Sequence, residues 1–369
     1  MDSVKSGVLR RSFVKVLLLV LFFSKFASAQ SKRSNYEKER QAGVQEYVQG
    51  HFEEAGKLFL SALHQAENER DDYTIALCLI GVGDVYQSQS HFSDAEAAYL
   101  KSLSTLRRVA GSYTIIAIAL HNLADSQSAL HRHQEALVTL KDASSLAENA
   151  PIFREELKGL ISNSFGIAYF YLGKTGKAES HFQTAIKAYS AAGGPFIADQ
   201  AQSVNNLAEI YRRRRQFQKA EAGYKEAIAL MEKELGPSHP DMTVILENLG
   251  DMYRSTNRYV EAETQYRRSL AILEVGKHNL PARLIHTLHG LGKIYIDQGN
   301  QTQAEAMFER AAAIIGPHPA MNPEVPYVLE TYSKLLKKAG KSQQAQDLHG
   351  RATRAHAIMA LTVRVQDLQ

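Results

Sequence analysis

The sequence has little of what most redox, metal and catalytic sites require. Its 369 residues include one cysteine and no tryptophan. Cys78 alone can form no internal disulfide, and its place in the apolar stretch IALCLIGVG predicts a buried core residue rather than a reactive thiol. The phosphate-binding loop, the dinucleotide-binding glycine motif, HExxH and paired CxxC motifs are all absent from the sequence. We therefore expect neither an enzyme nor a bound cofactor.

The charge balance argues against a nucleic-acid partner. The chain carries 43 basic and 39 acidic residues, which gives a net charge of +4. Because five of the basic residues and one acidic residue lie in residues 1–29, the remainder holds 38 of each sign. The basic surface typical of nucleic-acid-binding proteins is therefore not expected.

The histidines do not predict a metal site. His131 and His133 fall at a predicted turn, and His121 lies ten residues earlier on the preceding helix, roughly 15 Å away. His286 and His289 are one helical turn apart but have no third ligand nearby in the sequence. A metal ion needs several ligands converging within a few ångströms, so we predict no metal site.

Long apolar runs are also missing, and the one run near the N-terminus has the features of a targeting segment. Its eight apolar residues, Val16 to Phe23, are too few to span a bilayer, which takes about 20 residues in a helix. Four basic residues precede the run, and Ala27-Ser28-Ala29 supplies a small-residue cleavage site. The pattern predicts that residues 1–29 are a signal peptide cleaved after Ala29. We expect a bacterial protein exported to the periplasm or the cell exterior; the alternative is an uncleaved anchor.

What the sequence does contain is a repeat with a period close to 42 residues. One alanine per repeat, which we call the hairpin alanine, recurs at intervals of 40 to 42 residues. The eight are Ala55, Ala95, Ala136, Ala178, Ala220, Ala262, Ala304 and Ala345. Twelve residues before each is a small residue: Gly43, Gly83, Ala124, Gly166, Ala208, Gly250, Gly292 and Ser333. Four residues after each except the last is a large apolar residue: Phe59, Tyr99, Leu140, Phe182, Tyr224, Tyr266 and Phe308. A fixed period of this length indicates a repeat architecture.

Residues 236–270 show what one repeat predicts. Pro240 and Asp241 favour a helix start, and apolar residues then recur at helical spacing as far as Tyr253. Asn257 suits a turn, and a second apolar stripe follows through Ala262 and Tyr266. The prediction is an all-α solenoid of about eight antiparallel helix hairpins over residues 30–369. Polar residues at normally apolar positions predict that its last hairpin is a C-terminal cap.

These residues and spacings resemble the tetratricopeptide repeat. The period near 42, with LGPSHPD between hairpins and EAE after a turn, is similar to the longer variant found in kinesin light chains. The resemblance covers about residues 34–356. It implies a right-handed superhelix whose concave face is lined by the first helix of each hairpin. It also implies non-enzymatic binding of a protein or peptide on that face.

Three asparagines are candidate ligand contacts. Asn122, Asn206 and Asn248 each lie fourteen residues before a hairpin alanine, so they occupy equivalent positions on three first helices. An amide group can both donate to and accept from the backbone of an extended peptide. Similar asparagines contact peptide ligands in the resembled family. The alternative is that these side chains bond to neighbouring helices instead.

The other candidate contacts are basic. Arg212 begins a run of four arginines at the end of the first helix of the fifth hairpin, and Arg254 holds the equivalent position in the sixth. They could bind a carboxylate bidentately. Alternatively, they complement the helix dipole or pair with Glu209 and Asp251, one turn earlier. His289, on the first helix of the seventh hairpin, completes the predicted peptide-binding set.

Together these patterns predict an exported scaffold or adaptor that binds a protein or peptide on its concave face. The alternative is a sensory or recruiting module of an envelope complex, tethered by an uncleaved N-terminal helix. The first residue of the mature chain distinguishes the two, because export with cleavage leaves Gln30 at the N-terminus.

Overall fold

The computed structural model describes residues 35–150, 152–275, 280–316, 322 and 324–366, and these residues form helices without any strand. The predicted all-α fold is therefore confirmed, with sixteen α-helices in the described residues arranged as a repeat. None of these helices is both long and apolar enough to cross a bilayer. The predicted signal peptide, residues 1–29, lies outside the described residues. The right-handed superhelix stays a prediction.

The helices group into two compact units that divide after Ile210. Unit 1 contains α1 (Asn35–Gln49), α2 (Phe52–Glu69), α3 (Asp72–Ser88), α4 (Phe92–Leu106), α5 (Tyr113–Ala129), α6 (His133–Glu148), α7 (Arg154–Tyr171), α8 (Thr175–Ala192) and most of α9 (Ile197–Arg213). Unit 2 contains α10 (Phe217–Leu235), α11 (Met242–Ser255), α12 (Tyr259–Val275), α13 (Pro281–Asp297), α14 (Gln301–Ile315), α15 (Val325–Lys338) and α16 (Ser342–Gln366). In each repeat the odd-numbered helix is the first helix and the even-numbered helix is the second.

Every turn within a repeat has the same backbone geometry. The residue five before each hairpin alanine has a positive φ, between 58° and 86°. The eight are Gly50, Ser90, His131, Gly173, Arg215, Asn257, Gly299 and Gly340. The N–H of the next residue then donates to the carbonyl five residues back, as from Arg258 to Tyr253 at 2.9 Å. This helix-ending bond satisfies a carbonyl that would otherwise lack a partner. The turn position of His131 and Asn257 agrees with the sequence, whereas the left-handed Ser90 and Arg215 have no such signature.

A large ring packed against glycine joins the two helices of a hairpin, and in places also the next repeat. In the sixth hairpin the buried ring of Tyr266 on α12 lies against Gly250 on α11, where a Cβ atom would stand 2.7 Å from the ring. The same ring lies even closer to Gly290 on α13. Its hydroxyl donates to Asp251 at 2.9 Å, which fixes the ring in place. Gly250 therefore makes room for a side chain of the second helix more than for the backbone of Ala262.

This packing predicts a large stability difference between two glycine-to-alanine changes in unit 2. Gly290→Ala places a methyl group inside the contact distance of a buried, hydrogen-bonded ring. We expect a loss of about 1–3 kcal/mol in the free energy of unfolding, measured by urea denaturation, as overpacking costs. Gly350→Ala is the matched control, because its nearest neighbour, Arg354 Nη1, would be 3.7 Å away in ordinary contact. The control should be neutral or slightly stabilising; equal losses for both variants would contradict the packing account.

Candidate functional site

Two first helices of unit 1, α3 and α5, are buried on almost every side over much of their length. On α5 all residues from His121 to Ser128 are buried, and on α3 so are all residues from Thr74 to Val85. Many of these buried residues are polar, so they must find partners inside the protein. They find them largely on the neighbouring first helix and on the second helix of the same hairpin.

The most buried of these contacts surround Asp84. Asp84 Oδ1 accepts from the Tyr99 hydroxyl at 2.6 Å and from Asn122 Nδ2 at 3.0 Å. The Tyr99 hydroxyl is also 3.0 Å from Gln87 Oε1, which lies 3.3 Å from the Ser126 hydroxyl. The Tyr99 hydroxyl therefore contacts Asp84 and Gln87 at once. The network ties α3 to α5 and uses the amide of Asn122.

Asn206 lies in a second buried network. Its Nδ2 donates to Asn163 Oδ1 at 3.2 Å, and its Oδ1 accepts from Gln202 at 3.4 Å. Ser203 donates to the same Asn163 oxygen at 3.1 Å, so this network links α9 to α7. Asn122 and Asn206 are 1% and 6% exposed. In this arrangement both amides bond to neighbouring helices, which is the alternative left open by the sequence; contact with a ligand stays a prediction.

Burial changes the charge of the carboxyl groups in unit 1. Burial raises the pKa of Asp84 to about 8, although the hydrogen bonds from Tyr99 and Asn122 oppose the shift. Burial also raises the pKa of Asp125, and His121 and the Ser164 hydroxyl oppose it. With a pKa of about 8, Asp84 is largely protonated at neutral pH.

Asp84 predicts a stability that falls with rising pH. Because its folded pKa is raised, the folded chain binds the proton more tightly than the unfolded chain does. The stabilisation is complete below about pH 4 and is lost as the pH rises to about 8. Urea unfolding should therefore show a smaller decline over this range for Asp84→Asn than for the wild type. Asp94→Asn, at an exposed carboxyl of the same unit, should keep the wild-type decline, and an unchanged slope in Asp84→Asn would contradict the assignment.

The first helices of unit 2, in contrast, keep an accessible stripe. The residues 18, 14, 11 and 8 positions before the hairpin alanine lie on α11, α13 and α15. We call the surface that they form the unit 2 face. A helix places these positions on one side. The stripe comprises Val244, Asn248, Asp251, Arg254, His286, Gly290, Lys293, Ile296, Tyr327, Thr331, Lys334 and Lys337, all exposed or half-buried except Gly290. This is the accessible first-helix surface within unit 2.

The predicted arginine contacts are not free on this surface. Arg254 pairs with Asp297 on the next first helix, Nε to Oδ2 at 2.6 Å. The sequence had offered Asp251 as its partner, but Asp251 accepts from Tyr266 instead. Arg212 lies half-buried at the end of α9, and Asn248 lies half-buried on α11; both have interactions of their own.

Three lysines supply the uncompensated charge of the unit 2 face. Lys293 on α13 and Lys334 and Lys337 on α15 have no carboxylate partner among the described residues. The acidic residues nearby are already engaged: Asp297 with Arg254 and Glu330 with His356 at 3.0 Å. Sequence reasoning missed these lysines. The signal in the sequence was the charge of the residue eleven positions before the hairpin alanine. This residue is acidic in four earlier repeats (Asp84, Asp125, Glu209 and Asp251) and is a lysine in the last two (Lys293 and Lys334).

His289 belongs to a cluster that we call the histidine–glutamate cluster: Glu247, His286, His289 and Glu324. His289 Nδ1 lies 2.6 Å and His286 Nδ1 3.4 Å from the same Glu324 oxygen. His286 Nε2 lies 3.7 Å from Glu247. No group of three or more His, Cys, Asp or Glu in the described ranges is arranged to hold a metal ion.

The two histidines of the cluster differ in charge. Burial lowers the pKa of His286, but Glu247 and Glu324 outweigh it and raise that pKa to about 9. Burial lowers the pKa of His289 below its usual value, and the hydrogen bond to Glu324 only partly offsets this. Burial would raise the pKa of Glu324, yet the hydrogen bonds from the two histidines hold it well below its usual range. At neutral pH the cluster therefore contains one charged and one mostly neutral imidazole.

Comparison with known families identifies tetratricopeptide repeats in the chain. Two tetratricopeptide repeat models match residues 199–274 and 284–315, which include most of the unit 2 first helices. The resemblance predicted from residue spacing is thus confirmed for these residues. No curated protein matches the chain.

Solved structures extend the likeness in fold. BtubC (BKLC) from P. vanneervenii is 26% identical, with 62% of this chain and 94% of that chain covered and a TM-score of 0.55. The apo quorum sensor NprR from B. thuringiensis is 12% identical, with 95% and 98% covered and a TM-score of 0.66. A Rap protein complexed with Competence and Sporulation Factor is 12% identical, with 94% and 96% covered and a TM-score of 0.61. The last two likenesses concern the fold alone.

Proposed function

We propose that the chain is a non-catalytic scaffold that binds an acidic protein or peptide segment along the unit 2 face. The observation that carries the proposal is the set of three lysines, Lys293, Lys334 and Lys337, without a carboxylate partner in the described part of the chain. Lys334 and Lys337 are exposed and Lys293 is half-buried, so a ligand carboxylate can reach them with little loss of hydration.

The spacing of the stripe suits an extended segment. Packed helices lie about 8–10 Å apart, and an extended chain rises about 3.3 Å per residue, so roughly three ligand residues would span one repeat. Asn248 and Thr331 bring an amide and a hydroxyl to equivalent positions on α11 and α15. Tyr327, 45% exposed, offers an apolar contact beside them. The face therefore combines charge, hydrogen-bonding and apolar contacts in one row.

The compared proteins support ligand binding in general terms. One is described as a quorum sensor, and another was solved with Competence and Sporulation Factor bound. Those ligands belong to those proteins, and the preference for acidic residues rests on the lysines of this chain. Tetratricopeptide repeats are typically interaction scaffolds, which agrees with the missing catalytic motifs.

We further propose that the protein is exported by the signal peptide at residues 1–29. The support is the basic residues, the short apolar run and the small-residue cleavage site of that segment. The alternative function, a membrane-tethered recruiting module of an envelope complex, would retain these residues. Gln30 at the N-terminus of the mature protein favours the free scaffold, and an intact N-terminus favours the tethered module.

Substitution of the lysines tests the binding proposal. We use a rhodamine-labelled octa-aspartate as the probe and fluorescence anisotropy as the measurement. The double variant Lys293→Gln and Lys334→Gln should bind about tenfold more weakly, because each lost contact with a charge contributes about 0.5–1 kcal/mol. Binding by the wild type should also weaken as salt is added, because exposed charges are screened over about 8 Å at physiological ionic strength.

Lys233→Gln is the matched control for this experiment. Lys233 is exposed in unit 2 but lies on α10, a second helix, away from the stripe. It should bind the probe as the wild type does. Unchanged affinity in the double variant, or an equal loss in the control, would refute the proposed surface.

A further inference from the structure

We infer that the histidine–glutamate cluster makes binding on the unit 2 face depend on pH, with the affinity for an acidic segment rising as the pH falls. This inference rests on the proposed function and adds its regulation. It concerns two histidines, one of which, His286, lies within the stripe that carries the lysines.

The cluster joins all three first helices of the face. Glu324 immediately precedes α15. One of its carboxylate oxygens contacts Nδ1 of both His286 and His289 on α13. On the other side, His286 approaches Glu247 on α11. The second oxygen of Glu247 is already bonded to the hydroxyls of Ser269, at 2.8 Å, and Thr287. The carboxylates are therefore held in place, and the protons on the imidazoles are the variable part.

The charged groups that act on the two imidazoles are Glu247 and Asp251 on α11, Lys293 on α13 and Glu324 before α15. Burial and the same three carboxylates raise the pKa of Tyr266 on α12. On α14 the neighbour is the apolar ring of Phe308, whose centroid lies 5.9 Å from that of His289. Each proton that an imidazole takes up thus raises the net charge of the cluster by one.

The two histidines take up their protons in two separate pH ranges. The carboxylates keep His286 charged up to about pH 9, so its proton is lost only in alkaline solution. His289 is protonated only when the pH falls below the usual range of an imidazole. Its Nε2 lies 3.5 Å from the Thr331 hydroxyl, which donates to the Tyr327 carbonyl at 2.8 Å and can therefore accept a new N–H. This acceptor partly offsets the cost of placing a second cation in the buried site.

The charge gained by the histidines changes ligand binding on the part of the face that carries the lysines. His286 is 21% exposed, and Lys293 follows it by two helical turns on the same side of α13. An added positive charge within contact distance of a ligand carboxylate contributes about 1 kcal/mol in water, which corresponds to about fivefold in affinity. We expect one such step in alkaline solution, from His286, and a smaller one below the usual range of an imidazole, from His289.

The binding test uses the octa-aspartate probe, which stays ionised above about pH 5. Its affinity is measured at fixed ionic strength from about pH 10 down to about pH 5, the lower limit that the probe allows. The wild type should gain about fivefold at the alkaline step and less at the acidic step, because His289 is buried and lies outside the stripe. His286→Gln should lose the alkaline step and His289→Gln the acidic step. His349→Gln, at an exposed histidine on α16, is the control and should keep both; comparison with it also removes any common effect of lysine titration.

A measurement without ligand separates the cluster from the binding surface. NMR titration of the histidine rings should show one resonance that titrates near pH 9 and vanishes in His286→Gln. Another should titrate below the usual range and vanish in His289→Gln. In Glu324→Gln both midpoints should move to lower pH, because each histidine loses a carboxylate partner.

The outcomes distinguish the two proposals. Probe binding whose pH dependence is the same in both histidine variants as in the wild type overturns this inference and leaves the binding surface intact. Absence of probe binding at every pH overturns the acidic-segment proposal, and the pH regulation with it, even if the NMR midpoints are as expected. Histidine midpoints that do not move in Glu324→Gln overturn the role of the shared carboxylate.

Discussion

Much of the structure depends on one contact, present in five of the eight hairpins: a large ring from the second helix placed against glycine on the first. Phe59 is flanked in this way by Gly43 and Gly81, and Tyr266 by Gly250 and Gly290. A ring so placed fixes the distance between the two helices of a hairpin and, through the second glycine, the distance to the next repeat. The left-handed turn residue then sets where the second helix begins. Local geometry repeated in this way suffices to build each unit.

Close packing has different consequences in the two units. In unit 1, α3 and α5 are buried so completely that their polar side chains bond to one another, and the Asp84 carboxyl is largely uncharged at neutral pH. In unit 2 the corresponding stripe stays accessible, and its lysines have no partner among the described residues. Equivalent repeat positions thus serve internal cohesion on α3 and α5, whereas on α11, α13 and α15 most of them stay accessible.

The sequence was most informative at positions where the packing requires a residue of one particular size. The hairpin alanine and the small residue twelve positions earlier predicted all eight hairpins, and a large apolar residue four positions later supported all but the last. It was least informative about polar partners, since Asn122 and Asn248 occupy equivalent positions but differ in burial. Arg254 illustrates the same limit: its partner Asp297 lies 43 residues away, on a neighbour that only the folded chain brings close. The cluster around Glu324 joins residues from three hairpins and has no local motif.

The most direct test of the account is where an acidic segment contacts the chain. A photo-crosslinking residue is placed at Tyr327, which is 45% exposed on the unit 2 face, or at Val260, which is 73% exposed on the second helix α12. Each protein is irradiated with labelled octa-aspartate, and the crosslinked peptide is located by mass spectrometry. The account predicts a crosslink from Tyr327 that added salt suppresses, and none from Val260. Crosslinking from Val260 alone, or equally from both positions, would contradict it.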